Sequence, residues 1–340
     1  MLPNSHEVIL RNKAALTPPV ACVGLLAPAL LSELPGHGLA HTDHAGAFDS
    51  LAALADWQVR FGLQAEASPG QMATVVVFMP KARRELVMRL AYARQLVQPG
   101  GQIWLVGEKR EGIAGGANEF KGSFKTATKL DSARHCQLWS ARVTEGGLPF
   151  SPADWIDWHQ ISACGVQVSV AGLPGIFSDG HLDDGTRLLL ESLDAATIKG
   201  PVLDFACGAG VIGAWLAARF GRELVVDGVD VQAQAVACAR ETYGRAGVSG
   251  QIIASDGLQG VTGRYQTLVS NPPFHQGVKT DLDISDAFLR RAAAHLLPGG
   301  ELWLVANRFL PYRPLMERHI GPCELVAEDK RFIVYRVRSR

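Results

Sequence analysis

Four consecutive residues, Asn271-Pro272-Pro273-Phe274, combine groups suited to handling an amino nitrogen. The Asn carboxamide oxygen and a proline-flanked backbone carbonyl are two acceptors able to grip one –NH2 group, and the Phe ring can stack on a flat heterocycle. They follow an apolar run, Tyr265 to Ser270, that reads as a buried strand. Two prolines end that strand, because neither donates to a ladder hydrogen bond and each fixes φ. The loop is therefore stiff and sits at a strand's C-terminal edge, where doubly wound sheets hold ligands. Turn chemistry alone also permits a plainer reading, an Asx turn followed by a core Phe.

Upstream, Gly208, Gly210 and Gly213 form a Gly-x-Gly-x-x-Gly loop between a strand, Pro201 to Phe205, and a helix. Glycines let backbone approach a ligand closely, and a helix N-terminus offers N–H groups to it. Asp230 follows Gly208 by 22 residues, at the end of the next strand, where a carboxylate can take both ribose hydroxyls. That pattern alone fits NAD as well as any other adenosine ligand. Asp204, just before the loop, would repel a pyrophosphate but suits an ammonium group; taken singly it could equally cap a helix. Asp256, at the third strand's end, could accept from an adenine amine. S-adenosylmethionine is an adenosine ligand that carries an ammonium.

The elements that must position these residues read as βαβ units. Thr74 to Met79 is an apolar run ending at Pro80, Arg83 to Val97 has helical spacing, and Gln102 to Val106 is a further strand. The segment from Pro99-Gly100-Gly101 through Val106 matches the one from Pro298-Gly299-Gly300 through Val305, displaced by 199 residues. With a chain of 340 residues this predicts two copies of one α/β fold. The copies differ: the first has Met79-Pro80-Lys81-Ala82 where the second has Asn-Pro-Pro-Phe, and it lacks a glycine loop. Gly146 to Asp157 reads as the linker, and Trp155 and Trp158 as one face of a helix.

Composition narrows the classes. Lys+Arg and Asp+Glu are both 33, so nucleic-acid contact requires a local patch. Eleven basic residues against five acidic ones between Lys81 and Arg134 supply a candidate, whose other reading is solvated surface. Lys109, Arg110, Lys121, Lys125 and Lys129 are its RNA-binding candidates. Arg331, Arg336, Arg338 and Arg340 form a second basic run, which could instead protect a sheet edge. Six scattered cysteines exclude a disulfide framework and fit a cytoplasmic protein. No stretch is apolar enough for a signal peptide or a membrane span. His37, His41 and His44 cluster without an evident fourth ligand, so no metal is expected.

Asp204-x-x-x-Gly208-x-Gly210, Asp230, Asp256 and Asn271-Pro272-Pro273-Phe274, in that order, resemble class I S-adenosylmethionine-dependent methyltransferases acting on exocyclic amines. The whole chain resembles the ribosomal RNA small subunit methyltransferase C family, guanine-N2 methyltransferases of bacterial 16S rRNA. Leu173 to Ser178, Asn271 to Gly277 and Val305 to Tyr312 carry this closer match. The resemblance implies two tandem Rossmann-like α/β domains, each a seven-stranded, mostly parallel sheet with a terminal antiparallel hairpin. Residues 1–150 would be a degenerate copy serving RNA binding or scaffolding, and 165–340 the catalytic domain.

It further implies that Phe177, Asp204, Cys207, Gly208, Gly210, Asp230, Val231, Ser255 and Asp256 hold the cofactor. Asn271, Pro272, Pro273 and Phe274 would hold the target base. The partners would be 16S rRNA and the 30S subunit, met by a monomer. One departure, Phe205-Ala206, where many relatives have a small or glycine residue, is expected to change packing more than chemistry. His275 is a tempting proton acceptor, although a lone His is more often structural. Other readings remain: a different amine acceptor (adenine N6, a large-subunit guanine, a protein glutamine), a non-catalytic RNA-binding protein, or an NAD dehydrogenase.

Overall fold

Apolar runs bounded by prolines and glycines form the parallel strands of two separate sheets. A computed structural model describes residues 3–34, 36–66, 68–120, 127–176, 180–272 and 278–340, with backbone alone for 278–284. The chain divides into two compact units, Met1–Trp155 and Ile156–Arg340.

In the first unit, α1 (Asn4–Arg11) precedes β1 (Val20–Val23), β2 (Gly38–Thr42), α2 (Ala45–Ala52) and β3 (Trp57–Phe61). Then come β4 (Met72–Phe78), α3 (Arg83–Leu96), β5 (Val97–Glu108), α4 (Ile113–Gly116), β6 (Thr128–Ala133) and β7 (Cys136–Arg142). The strand order is β3-β2-β1-β4-β5-β7-β6, five parallel strands closed by an antiparallel hairpin.

The second unit opens with β8 (Asp157–Ala163) and β9 (Val166–Gly172), followed by α5 (Asp184–Asp194), β10 (Val202–Phe205), α6 (Val211–Phe220) and β11 (Val226–Asp230). It continues through α7 (Ala233–Ala246), β12 (Ile252–Ala254), β13 (Tyr265–Ser270), α8 (Val278–His295) and β14 (Leu296–Asn307). It ends with α9 (Tyr312–His319), β15 (Cys323–Glu328) and β16 (Phe332–Arg338). Its main sheet runs β12-β11-β10-β13-β14-β16-β15, the order of the first sheet repeated, again with five parallel strands and an antiparallel hairpin.

β10 carries four buried residues, as a central parallel strand covered on both faces must. Leu203, Phe205, Leu268 and Leu289 build one layer of core; Val202, Trp215, Val269 and Trp303 build another. The chain runs from β10 out to β11 and β12, then returns to β13 on the other side. The reversal opens a crevice at the strands' C-terminal edge.

Several boundaries differ from the sequence reading. The strand read from Gln102 starts earlier: both Pro-Gly-Gly segments lie inside strands, β5 and β14, where pairing with β4 and β13 shifts register. β2 and β3 were not foreseen. Residues 157–163, which the sequence reading left between the linker and a second domain starting at 165, are a strand paired with β9. Ile161, Val168 and Val170 of that hairpin pack with Ala214 of α6. Trp158 therefore shares no helix face with Trp155; it lies on β8 with the Arg245 guanidinium 4.1 Å over its ring. Arg336 and Arg338 sit on β16, an inner strand, paired with Glu324 and Glu301, so they guard no edge. No described helix is long and apolar enough to cross a membrane.

Candidate active site

The glycine loop bridges β10 and α6 through three left-handed residues: Ala206 at φ +57°, Gly208 at +54° and Gly210 at +79°. Glycine takes this conformation without strain, and a Cβ on Gly208 would meet nothing within 4 Å, so the loop faces open space there. Ala206 takes it at a cost of about 1–2 kcal/mol. The Phe205-Ala206 departure therefore bears on backbone strain and not, as expected, chiefly on packing. Gly213 is needed for another reason: a Cβ there would stand 1.9 Å from the Tyr243 hydroxyl where α6 meets α7.

Asp230 braces this loop. Its Oδ2 accepts the Gly208 N–H and its Oδ1 the Gln232 N–H, both at 2.9 Å. Burial raises its pKa while these N–H groups oppose the rise. The Ser255 N–H donates to the Asp230 carbonyl at 3.0 Å, which draws the end of β12 to the end of β11. The Ser255 hydroxyl accepts from the Gly260 N–H at 2.8 Å and so fixes the following turn. Asp256, next in the chain, is exposed. Val231 is half-buried, and the Cys207 thiol is buried with its pKa pushed far up, so it is no thiolate.

Asp204 is fully buried, and neither carboxylate oxygen has a hydrogen-bond partner of ordinary geometry among the described residues. Burial raises its pKa well above the carboxylate range; only the Gly213 N–H acts against it. An orphaned buried carboxylate beside an open glycine loop is an acceptor that a cationic ligand can pair with. These residues thus fit S-adenosylmethionine.

Asn271 stands at the end of β13, next to β10. Phe205 pairs with Ser270, and the Ser270 hydroxyl donates to the Phe205 carbonyl at 2.8 Å, tying the two strand ends together. The Asn271 amide nitrogen donates to Asp183 Oδ2 at 2.8 Å and to Thr186 Oγ1 at 2.9 Å. Pro272 is buried. Asp204, Cys207, Gly208, Gly210, Asp230, Val231, Ser255, Asp256, Asn271 and Pro272 thus gather along one edge of β10 to β13. Phe177, Pro273, Phe274 and His275 lie outside the described residues.

Sequence reasoning missed Asp183, Thr186 and Phe309. Asp183 to Thr186 is legible as a helix cap, but its bond to a residue 88 positions away is not. Phe309, two residues beyond β14, is 70% exposed at the same sheet edge. Its place at that edge and its exposure are visible only with the fold in hand.

In the first unit the matching edge is filled from within. Arg89 donates to the Phe78 carbonyl at 2.9 Å and to Asp43 and Glu85, each at 2.7 Å. A Cβ on Gly24, just past β1, would lie 2.1 Å from its guanidinium. His41 accepts from the Gly24 N–H and lies 3.2 Å from Asp43, while His44 caps α2. These histidines are structural, and among the described residues no His, Cys, Asp or Glu group is arranged for a metal ion.

Four of the eleven basic residues form ion pairs among the described residues: Arg83 with Glu119, Arg89 with Asp43 and Glu85, Arg110 with Glu108, and Arg134 with Glu7. Lys109 and Arg110 are exposed just past β5, and Lys129 is exposed on the edge strand β6. Lys121 and Lys125 lie outside the described residues.

Comparison with known proteins adds two family matches: the methyltransferase small domain over residues 167–336 and its N-terminal counterpart over 6–159. A "Ribosomal RNA small subunit methyltransferase C" of Pseudomonas paraeruginosa is 43% identical over 333 residues, 98% of each chain. One of Stutzerimonas stutzeri is 42% identical, over 97% of each chain. The solved 16S rRNA N2 G1207 methyltransferase of T. thermophilus, in complex with AdoMet and guanosine, superposes with a TM-score of 0.84. It is 25% identical, over 99% of this chain and 92% of that one.

Proposed function

The chain belongs to the ribosomal RNA small subunit methyltransferase C family, and from that premise we propose that it methylates the N2 amine of a guanine in 16S rRNA from S-adenosylmethionine. The observation that carries this reading is the hydrogen-bonded pairing of Phe205 with Ser270, which sets Asn271 and the Asp204–Gly210 loop at neighbouring strand ends. Asp204 and the Gly208 and Gly210 backbone would hold the amino-acid end of the cofactor, with Phe177 and Cys207 nearby. Asp230 and Val231 would hold the ribose, Ser255 and Asp256 the adenine. When bound, the cofactor supplies a methyl carbon activated on a sulfonium.

The remaining work falls to the chain. The guanine N2 lone pair is delocalised into the ring and is a poor nucleophile. Acceptance of its two hydrogens by Asn271 Oδ1 and the Pro272 carbonyl favours a pyramidal nitrogen, with its lone pair turned to the methyl. Proximity and alignment of this kind supply several kcal/mol. No strong base is needed beforehand, because the nitrogen sheds its proton after it has become cationic. Phe274 would stack on the base, and the exposed Phe309 ring offers a stacking face to a neighbouring nucleotide. The target base must leave its stack, which splayed or single-stranded RNA makes easy.

Residues 165–340 would act as the catalytic domain and 1–150 as a scaffold that contacts RNA phosphates through Lys109, Arg110 and Lys129, joined by Lys121 and Lys125. The substrate would be the 30S subunit, met by a monomer in the cytoplasm.

Incubation of the chain with labelled S-adenosylmethionine and unmodified 30S subunits, followed by nucleoside mass spectrometry, tests the assignment. N2-methylguanosine in the 16S fraction is expected. Label in adenosine or in protein alone would refute it.

A further inference from the structure

The Asn271 side chain can serve a target amine in only one of its two flips. With the carboxamide oxygen outward it accepts from –NH2; with its nitrogen outward it opposes donor to donor. The crevice itself imposes no choice, because the amide is nearly symmetric in shape. The choice is made behind it. Asp183 Oδ2, at 2.8 Å, belongs to a carboxylate, which only accepts, so the amide edge facing it must be the nitrogen. Thr186 Oγ1 takes the second N–H at 2.9 Å. Both hydrogens of the amide are thereby directed towards α5, and Oδ1 is the edge turned away.

The same Asp183 oxygen accepts the Thr186 N–H at 3.0 Å as the cap of α5, which fixes the carboxylate before any ligand arrives. Gly185 keeps the space beside it clear; a Cβ there would come within 3.1 Å of that oxygen. A capping residue needs only one backbone partner. The second bond, to a strand-end Asn on a different element, is more than capping requires.

We propose that Asp183 is a positioning residue for methyl transfer, holding Asn271 in the flip that presents an acceptor to the amine. This rests on the methyl-transfer reading above. In this role Asp183 acts through Asn271, with Thr186 as the lesser partner.

Three variants separate this role from capping. Ser at position 183 still caps α5. Its hydroxyl is shorter and both donates and accepts, so it cannot dictate the flip. Asp183→Ser is expected to keep the wild-type melting temperature and S-adenosylmethionine affinity while kcat on 30S subunits falls about 10–100-fold, the worth of a charged hydrogen bond. Asp183→Asn is expected to keep most of the wild-type rate, because the Thr186 N–H holds its carboxamide oxygen, which is long enough to accept from Asn271 as well. Asp183→Ala should lose both rate and thermal stability. An Asp183→Ser enzyme with wild-type kcat, or three variants whose kcat merely follows their melting temperatures, would overturn the positioning role. A wild-type chain that methylates no ribosomal RNA would instead overturn the reading beneath it.

Discussion

The Asp230 carboxylate accepts the Gly208 N–H at 2.9 Å, so the acid at the end of β11 braces the glycine loop that leaves β10. Its loss would loosen the loop and, on the proposed reading, remove a ribose contact as well. Asp230→Ala is expected to weaken S-adenosylmethionine binding about 10–100-fold in titration calorimetry. Asn271→Ala should do the reverse, lowering kcat about 10²–10³-fold with cofactor affinity nearly unchanged. An unaltered affinity in the first variant, or equal losses in both quantities in the second, would reject the roles.

On the proposed reading, Asp204 should link cofactor binding to pH. Burial raises its pKa, so the native chain keeps a proton that the unfolded chain releases. Its contribution to stability is full below the ordinary carboxylate range and disappears as pH climbs through the raised value. A cationic ligand favours the charged carboxylate, so binding should release a proton and tighten as pH rises over the same window. Calorimetry in buffers of different ionisation enthalpy reads that proton. Asp204→Asn should abolish its release and flatten the stability profile; release that persists in the variant contradicts the assignment.

Ala206 holds a left-handed φ of +57°. Ala206→Gly is expected to stabilise the chain by roughly 0.5–1 kcal/mol, the relief of left-handed strain less the entropy glycine brings to the unfolded state. Urea denaturation measures it, and a destabilised variant would contradict the strain.

Arg89 neutralises Asp43 and Glu85 inside the N-terminal crevice. Arg89→Ala should cost about 3–5 kcal/mol, because it leaves two carboxylates facing each other out of water. Wild-type chain should bind one equivalent of S-adenosylmethionine; a second equivalent would show the crevice to be open.

Phe309→Ala is expected to raise KM for 30S subunits about 10–100-fold, the worth of one stacked base, without affecting cofactor affinity. Phe309→Trp should retain the contact. Indifference of KM to both changes would remove Phe309 from the RNA surface.

Much of this architecture was legible because buried parallel strands leave continuous apolar runs. Met72–Phe78, Val202–Phe205 and Tyr265–Ser270 announce themselves, and the 199-residue displacement carries one fold onto the other. β2 and β3 were hidden for physical reasons. β2 buries His41 and Thr42, polar residues that reading by hydropathy assigns to loops, and β3 is a half-exposed edge. Ligand-edge residues were found where each carries its own local context, as Asp204 and Asp230 do. Asp183 was not, because capping accounts for it completely until its distant partner is seen. Which side chains of the basic stretch pair was not legible, because partners such as Arg83 and Glu119 are 36 positions apart in the chain.

The ion cluster of the N-terminal half locks that cleft shut as a unit. Removing the cation would strand two anions, and removing an anion would leave the cation short of a partner. No single substitution among the three empties the space without leaving buried charge uncompensated.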